Sequence, residues 1–253
     1  MAFWLNCLRH LFAMNIKSIL IGSDESLRLL QEVETLYGSN VELQLDPNSK
    51  GSLYIKPVLQ FPTIFYRGES ELTIAACVHE LLHLRLIRYG CPFAYPTNPN
   101  EANDWLRGMV DMLNNLFQHV IIFPELIRRG FSPYESEEVG LQNQLEALSR
   151  SDFSVSNESP IGLLNLLSCL KANMALIYSR AILECQSEAL RVRYYALYSQ
   201  PSFIECRYLG EKVANIVRQF AISDFSVCRV GLLEATDVLS QARSVSITQT
   251  NGA

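Results

Sequence analysis

The chain has 253 residues, 49% of them hydrophobic and 19% charged, with a net charge of −5. That balance suffices for a sizeable core and excludes a disordered chain, while the acidic sign gives no electrostatic basis for binding nucleic acid. Seven cysteines, none in a C-x-x-C pair, argue against a disulfide framework or a Cys-rich zinc site and for a reducing, cytoplasmic setting.

Met1 to Met14 is apolar but interrupted by Arg9 and His10, with no clear small-residue cleavage site. It reads as a short helix packed on the core, not as a signal peptide. Ser23 or Asp24 caps a helix running to about Tyr37, where Gly38 can end it. Val41, Leu43 and Leu45 then alternate with polar residues as in a strand. Ser52 to Lys56 and Thr63 to Arg67 make two further strands, so a small antiparallel sheet is expected. Gly68 breaks the third strand, and Ser70 is expected to cap the next helix, which Gly90 and Pro92 stop at about Tyr89.

Cys91 to Asn100 holds three prolines and reads as loop. A long helix is predicted from Glu101 to about Ile121, ending before Pro124. Gly130 to Gly140 is polar and turn-rich, and the lobe boundary is expected there. Helices follow at roughly 141–150, 160–198, 202–221 and 228–243, and the last ten residues are expected to fray. Pro160 to Tyr178 is apolar but carries Lys171, which costs about 2.5–3.5 kcal/mol to place in a bilayer, so no stable membrane span is expected. The chain therefore reads as α+β, with one lobe at 1–135 and an all-helical lobe at 136–253.

The most informative string is His79-Glu80-Leu81-Leu82-His83, an H-E-x-x-H sequence inside a helical run. Two imidazoles four positions apart share one helix face and can hold one metal ion. Glu80, rotated by roughly 100° from His79, lies where its carboxylate could take a proton from a water on that ion. The chemistry suits Zn²⁺, which needs a third protein ligand and keeps one position open in catalytic sites.

Glu101, Asp104, Gly108, Asp111, Asn115 and His119 form a polar stripe on the next long helix. Its ends, Glu101 and His119, lie roughly 27 Å apart at 1.5 Å per residue, so only one can reach the ion. His119 is favoured, because an imidazole among Val120, Ile121, Ile122 and Phe123 needs a partner. Asp111 and Asn115 would then orient its ring. A core histidine satisfied by backbone or by Asn115 is the alternative for His119, and Glu101 is the alternative ligand.

Strands followed by a helix with this string resemble the zincin metallopeptidases. Glu101-Ala102-Asn103-Asp104-Trp105 is loosely similar to the segment of ImmA/IrrE-like zincins in which a glutamate completes the zinc site. The chain departs from that pattern at Pro124, which comes late, and at Arg85, where many zincins carry an apolar residue. The resemblance spans roughly residues 40 to 125 and implies a zincin-like N-terminal lobe. It also implies that the strand Thr63–Arg67 lines the cleft and offers its edge to an extended substrate.

The function expected is zinc-dependent peptide-bond hydrolysis of a protein or peptide substrate, with Glu80 as the base. Tyr89, Tyr95 and Tyr134 are candidate transition-state stabilisers. A non-catalytic zincin-like regulatory or interaction module is the alternative, and a metal-free helical scaffold a third reading. The helical lobe offers a surface for partners or self-association. Tyr194, Tyr195 and Tyr198 near Arg191 and Arg193 read as a packed amphipathic helix, not a nucleic-acid contact.

Overall fold

The computed structural model describes residues 15–48, 53–56, 60–96, 104–133, 204–220, 224–243 and 247–250, with single positions between 142 and 200. The expected helices at 1–14, 141–150 and 160–198 lie outside these residues or touch them only at isolated positions. The chain divides into two compact units, Met1–Tyr89 and Gly90–Ala253. The boundary expected at 135/136 falls within the second unit, among residues not described. Among the described residues, no helix is long and apolar enough to cross a membrane.

In the first unit, Asn15 caps the short helix α1 (Ile16–Ile19) by accepting from Lys17 N at 2.9 Å. Helix α2 (Asp24–Tyr37) starts at Ser23, whose side chain accepts from Ser26 N, and its first turn carries Asp24 and Glu25. Those acids complement the positive end of the helix dipole. Gly38 ends α2 with a left-handed φ of 68°, a conformation that costs glycine nothing. Leu29, Leu30 and Val33 form its buried stripe.

Strands β1 (Glu42–Leu45), β2 (Leu53–Ile55) and β3 (Thr63–Tyr66) form one sheet in the order β1-β3-β2. The sheet is mixed, not antiparallel as expected: β3 runs parallel to β1 and antiparallel to β2. Every residue of β3 is buried, whereas β1 is mostly exposed. The most buried strand thus takes the centre, and two chain reversals bring it parallel to β1. Both edges of β3 are therefore occupied. The expectation that this strand offers its edge to a substrate is corrected, and β1 and β2 are the edge strands.

Helix α3 (Ile74–Arg88) begins at Thr73, whose hydroxyl accepts from Ala76 N at 3.1 Å. Ser70, expected to be the cap, lies instead in a 3₁₀ turn (Glu69–Glu71), because Thr73 stands three residues before a free amide and Ser70 does not. Cys77, Val78, Leu81, Leu82, Leu84, Leu86 and Ile87 are all buried, so apolar side chains surround the helix axis. Each fully buried leucine stabilises the unit by about 1.5–3 kcal/mol before entropy is counted. Helix α3 packs against α2 and β2. The Tyr37 hydroxyl donates to Leu84 O at 3.2 Å, and Arg88 Nε donates to Leu36 O at 2.9 Å. Leu36 lies in the last turn of α2, where carbonyls lack intrahelical partners.

In the second unit, β4 (Phe93–Pro96) pairs antiparallel with β5 (Ile247–Thr250). Two expectations are corrected here. Residues 91–100 are not all loop, and residues 247–250, within the lobe expected to be all-helical and the last ten residues expected to fray, form a strand. Proline lacks a ladder donor, but Pro96 stands at the last position of β4, where a strand tolerates it. The partner strand, with Ile247, Thr248 and Thr250, is rich in β-branched residues.

Helix α4 (Asp104–Arg128) runs through Pro124, not ending before it as expected. Pro124 removes one i→i−4 bond and is exposed. Phe123 and Leu126 on either side are 2% and 3% exposed, so their burial holds the last turn in place. Helices α5 (Ile204–Phe220) and α6 (Phe225–Arg243) pack on each other, and α6 also packs on α4. Helix α6 starts earlier than expected because Asp224 Oδ1 accepts from Ser226 N at 2.9 Å.

Candidate metal centre

Helix α3 carries His79, Glu80 and His83 into this apolar setting. The two imidazoles stand one turn apart, with ring centroids separated by 4.7 Å and planes at 76°. His83 is 5% exposed and Glu80 6%, while the His79 side chain keeps 27% of its surface. Burying polar groups in such a helix costs free energy unless they find partners. One partner is shown: His79 Nδ1 and Glu80 Oε1 share a hydrogen bond of 3.1 Å.

Burial pushes the Glu80 carboxyl upward, but the bond from His79 and the positive charge of His79 and His83 outweigh it, and the net shift is downward. Glu80 is therefore a carboxylate at neutral pH. Cys77, one turn before it, is pushed up to about 12 by burial and then by the charge of Glu80. It is a protonated thiol at neutral pH.

His119 lies in the buried run of α4, 4% exposed, with its ring stacked on Phe123 at a centroid distance of 4.6 Å and 23° between planes. The nearest ligand atoms of His79, His83 and His119 all lie within 4.8 Å of one another. These three histidines are close enough to bind a metal ion.

The donor set fits a divalent cation of intermediate softness. Zinc–nitrogen bonds of 2.0–2.1 Å in a tetrahedral set place the nitrogens about 3.3 Å apart.

Asp111 is exposed and Asn115 half-buried on α4. Glu101 and Tyr134 lie outside the described residues. The Tyr89 hydroxyl donates to Glu32 Oε1 at 2.8 Å and is half-exposed, and Tyr95 stands against Phe93 with centroids 6.4 Å apart. Arg85 pairs with Glu32 at 3.6 Å, which accounts for a charge where an apolar residue was the family expectation.

Sequence reasoning missed two relationships. The Glu80–His79 bond joins consecutive residues, whose side chains diverge on a helix, so spacing gave no signal for it. Asn114 ties α4 to β4 through both backbone groups of Ala94. The apolar flanks of β4 were the only available sign of a partner there. In comparisons with protein-family models, curated proteins and solved structures, the chain matches none of them.

Proposed function

We propose that this chain is a zinc-dependent metallopeptidase of the zincin type, hydrolysing peptide bonds in a protein or peptide substrate. The observation that carries this reading is the gathering of His79, His83 and His119 within 4.8 Å, with Glu80 beside the first of them. His79, His83 and His119 would hold the ion. Zinc, when bound, supplies a Lewis acid that polarises water and a carbonyl group, with one coordination position open beyond three protein ligands.

The protein's own groups perform the rest. Glu80 takes the proton of the attacking water and returns it to the leaving amine nitrogen. The burial of Glu80 and His83 keeps bulk water from their side of the site and strengthens charge interactions there.

Assaying hydrolysis of a mixed-sequence peptide library by zinc-loaded wild type and Glu80→Gln tests this reading. The wild type should cleave, chelation should stop it, and Glu80→Gln should keep zinc while losing on the order of 10²–10⁴ in rate. Metal-dependent cleavage retained by Glu80→Gln overturns the assignment. One observation favours a second reading, a zinc-binding module that hydrolyses nothing: one carboxylate oxygen of Glu80 is already engaged by His79. Zinc bound by the wild type with no cleavage of the library supports that second reading.

A further inference from the structure

We propose that Glu80 is also a positioning residue, whose Oε1 fixes His79 in its Nδ1–H tautomer so that Nε2 keeps the lone pair a metal requires. The inference rests on the reading of His79 as a ligand and concerns how that ligand is prepared. The geometry lies wholly within the first unit, on α3.

Consecutive residues of an α-helix are rotated by about 100° and their side chains do not face each other. Yet His79 Nδ1 and Glu80 Oε1 stand at 3.1 Å. Glu80 is 6% exposed in a helix whose neighbouring positions are Val78, Leu81, Leu82 and Leu84. A carboxylate so placed needs a donor, and the imidazole beside it supplies one. A carboxylate can only accept, so the shared proton belongs to Nδ1 in the neutral ring.

Neutral imidazole carries one proton, and fixing it on Nδ1 leaves Nε2 as the ligating atom. Metal-bound histidines almost always have such a partner on the other ring nitrogen, and losing it costs about 10–100-fold in metal affinity. Here the next residue provides that partner. A carboxylate also has two oxygens, so Oε1 can hold His79 while Oε2 serves the proton transfer proposed above.

The division of labour separates two substitutions that a pure base would not distinguish. In Glu80→Gln, the amide oxygen still accepts from Nδ1–H but cannot carry the transferred proton. In Glu80→Ala, both roles are lost. The test uses the full chain and two readouts. Long-range ¹H–¹⁵N correlation spectra of the metal-free protein at pH 8 report the His79 tautomer, and competition with a chromophoric chelator gives the Zn²⁺ affinity.

The expected result is an Nδ1–H tautomer for His79 in wild type and in Glu80→Gln, with zinc affinities within about threefold of each other. Glu80→Ala should shift the ring toward Nε2–H and bind zinc about 10–100-fold more weakly. Wild-type His79 found as Nε2–H, or Glu80→Ala binding zinc as tightly as wild type, overturns the proposal. Should circular dichroism show Glu80→Ala unfolded, the tautomers of wild type and Glu80→Gln decide alone. Failure of the wild type itself to bind zinc removes the metallopeptidase reading and this inference with it. Zinc binding undisturbed by Glu80→Ala removes only the inference.

Discussion

Asn114 on α4 completes the backbone of Ala94 on β4, with its Oδ1 accepting from Ala94 N at 2.7 Å and its Nδ2 donating to Ala94 O at 3.1 Å. One side-chain amide thus acts as a further strand for that residue, on the edge that β5 does not fully satisfy. Asn114→Leu leaves both groups of a buried residue without this partner. Each bond contributes about 1 kcal/mol net, so a loss of about 2 kcal/mol is expected. Urea unfolding should show a lower midpoint at an unchanged slope. A midpoint equal to the wild type would mean that the helix and strand do not depend on this pair.

Gly231 on α6 lies where side chains of α4 and α5 crowd. A Cβ placed there would stand 2.2 Å from Phe220 Cβ and 3.0 Å from Phe117. Alanine is the better helix former by about 1 kcal/mol, but overpacking of this kind costs about 1–3 kcal/mol or more. Backbone as well as side chain would have to shift, because the nearest atom is a Cβ. Gly231→Ala is therefore expected to lower the melting temperature. A rise would show that α5 and α6 can move apart freely.

Pro124 offers the opposite case. It sits exposed inside α4 without an amide to close its helical bond. Replacing it with alanine restores the donor and removes the ring clash, for an expected gain of about 1–3 kcal/mol. The gain should appear as a higher urea midpoint, and a loss would show that the proline ring is needed for packing.

The Glu125 carboxyl is held down to about 2, chiefly by the Arg128 guanidinium, with burial opposing and Arg129 assisting. Its Arg128 and Arg129 contacts are 2.9 Å and 2.8 Å. The folded value lies below the ordinary value of 4.5, so the unfolded chain binds the proton more readily. The stabilisation is fully present above about pH 5 and is lost as pH falls toward 2. Arg128 is largely exposed, so solvent screening limits the effect to about 1 kcal/mol. Relative to wild type, Glu125→Gln should be less stable at pH 7, and the gap should close by pH 2. A gap that persists at pH 2 would assign the loss to something other than charge.

Local chemistry made part of this architecture legible. Ser23 and Gly38 bound α2 as their hydroxyl and left-handed backbone require, and the two histidines of α3 share a face because four positions make about one turn. His119 was read as a buried imidazole among apolar neighbours, and it lies there, within 4.8 Å of the other two. Features set by partners distant in sequence were not legible. The direction of β3 depends on which strand it meets, and β4 exists only because residues 247–250 return to it. Pro124 is carried by burial on both sides, which no single-residue preference reveals.

The central claim is a zinc centre on three histidines, and zinc stoichiometry and affinity test it most directly in wild type, His83→Ala and His119→Ala. The account predicts one zinc per wild-type chain and none retained by His83→Ala. It also predicts a weakening in His119→Ala beyond the roughly 10–100-fold that a supporting residue is worth. A wild type that takes up no zinc when supplied, or His119→Ala that binds as tightly as wild type, would contradict it.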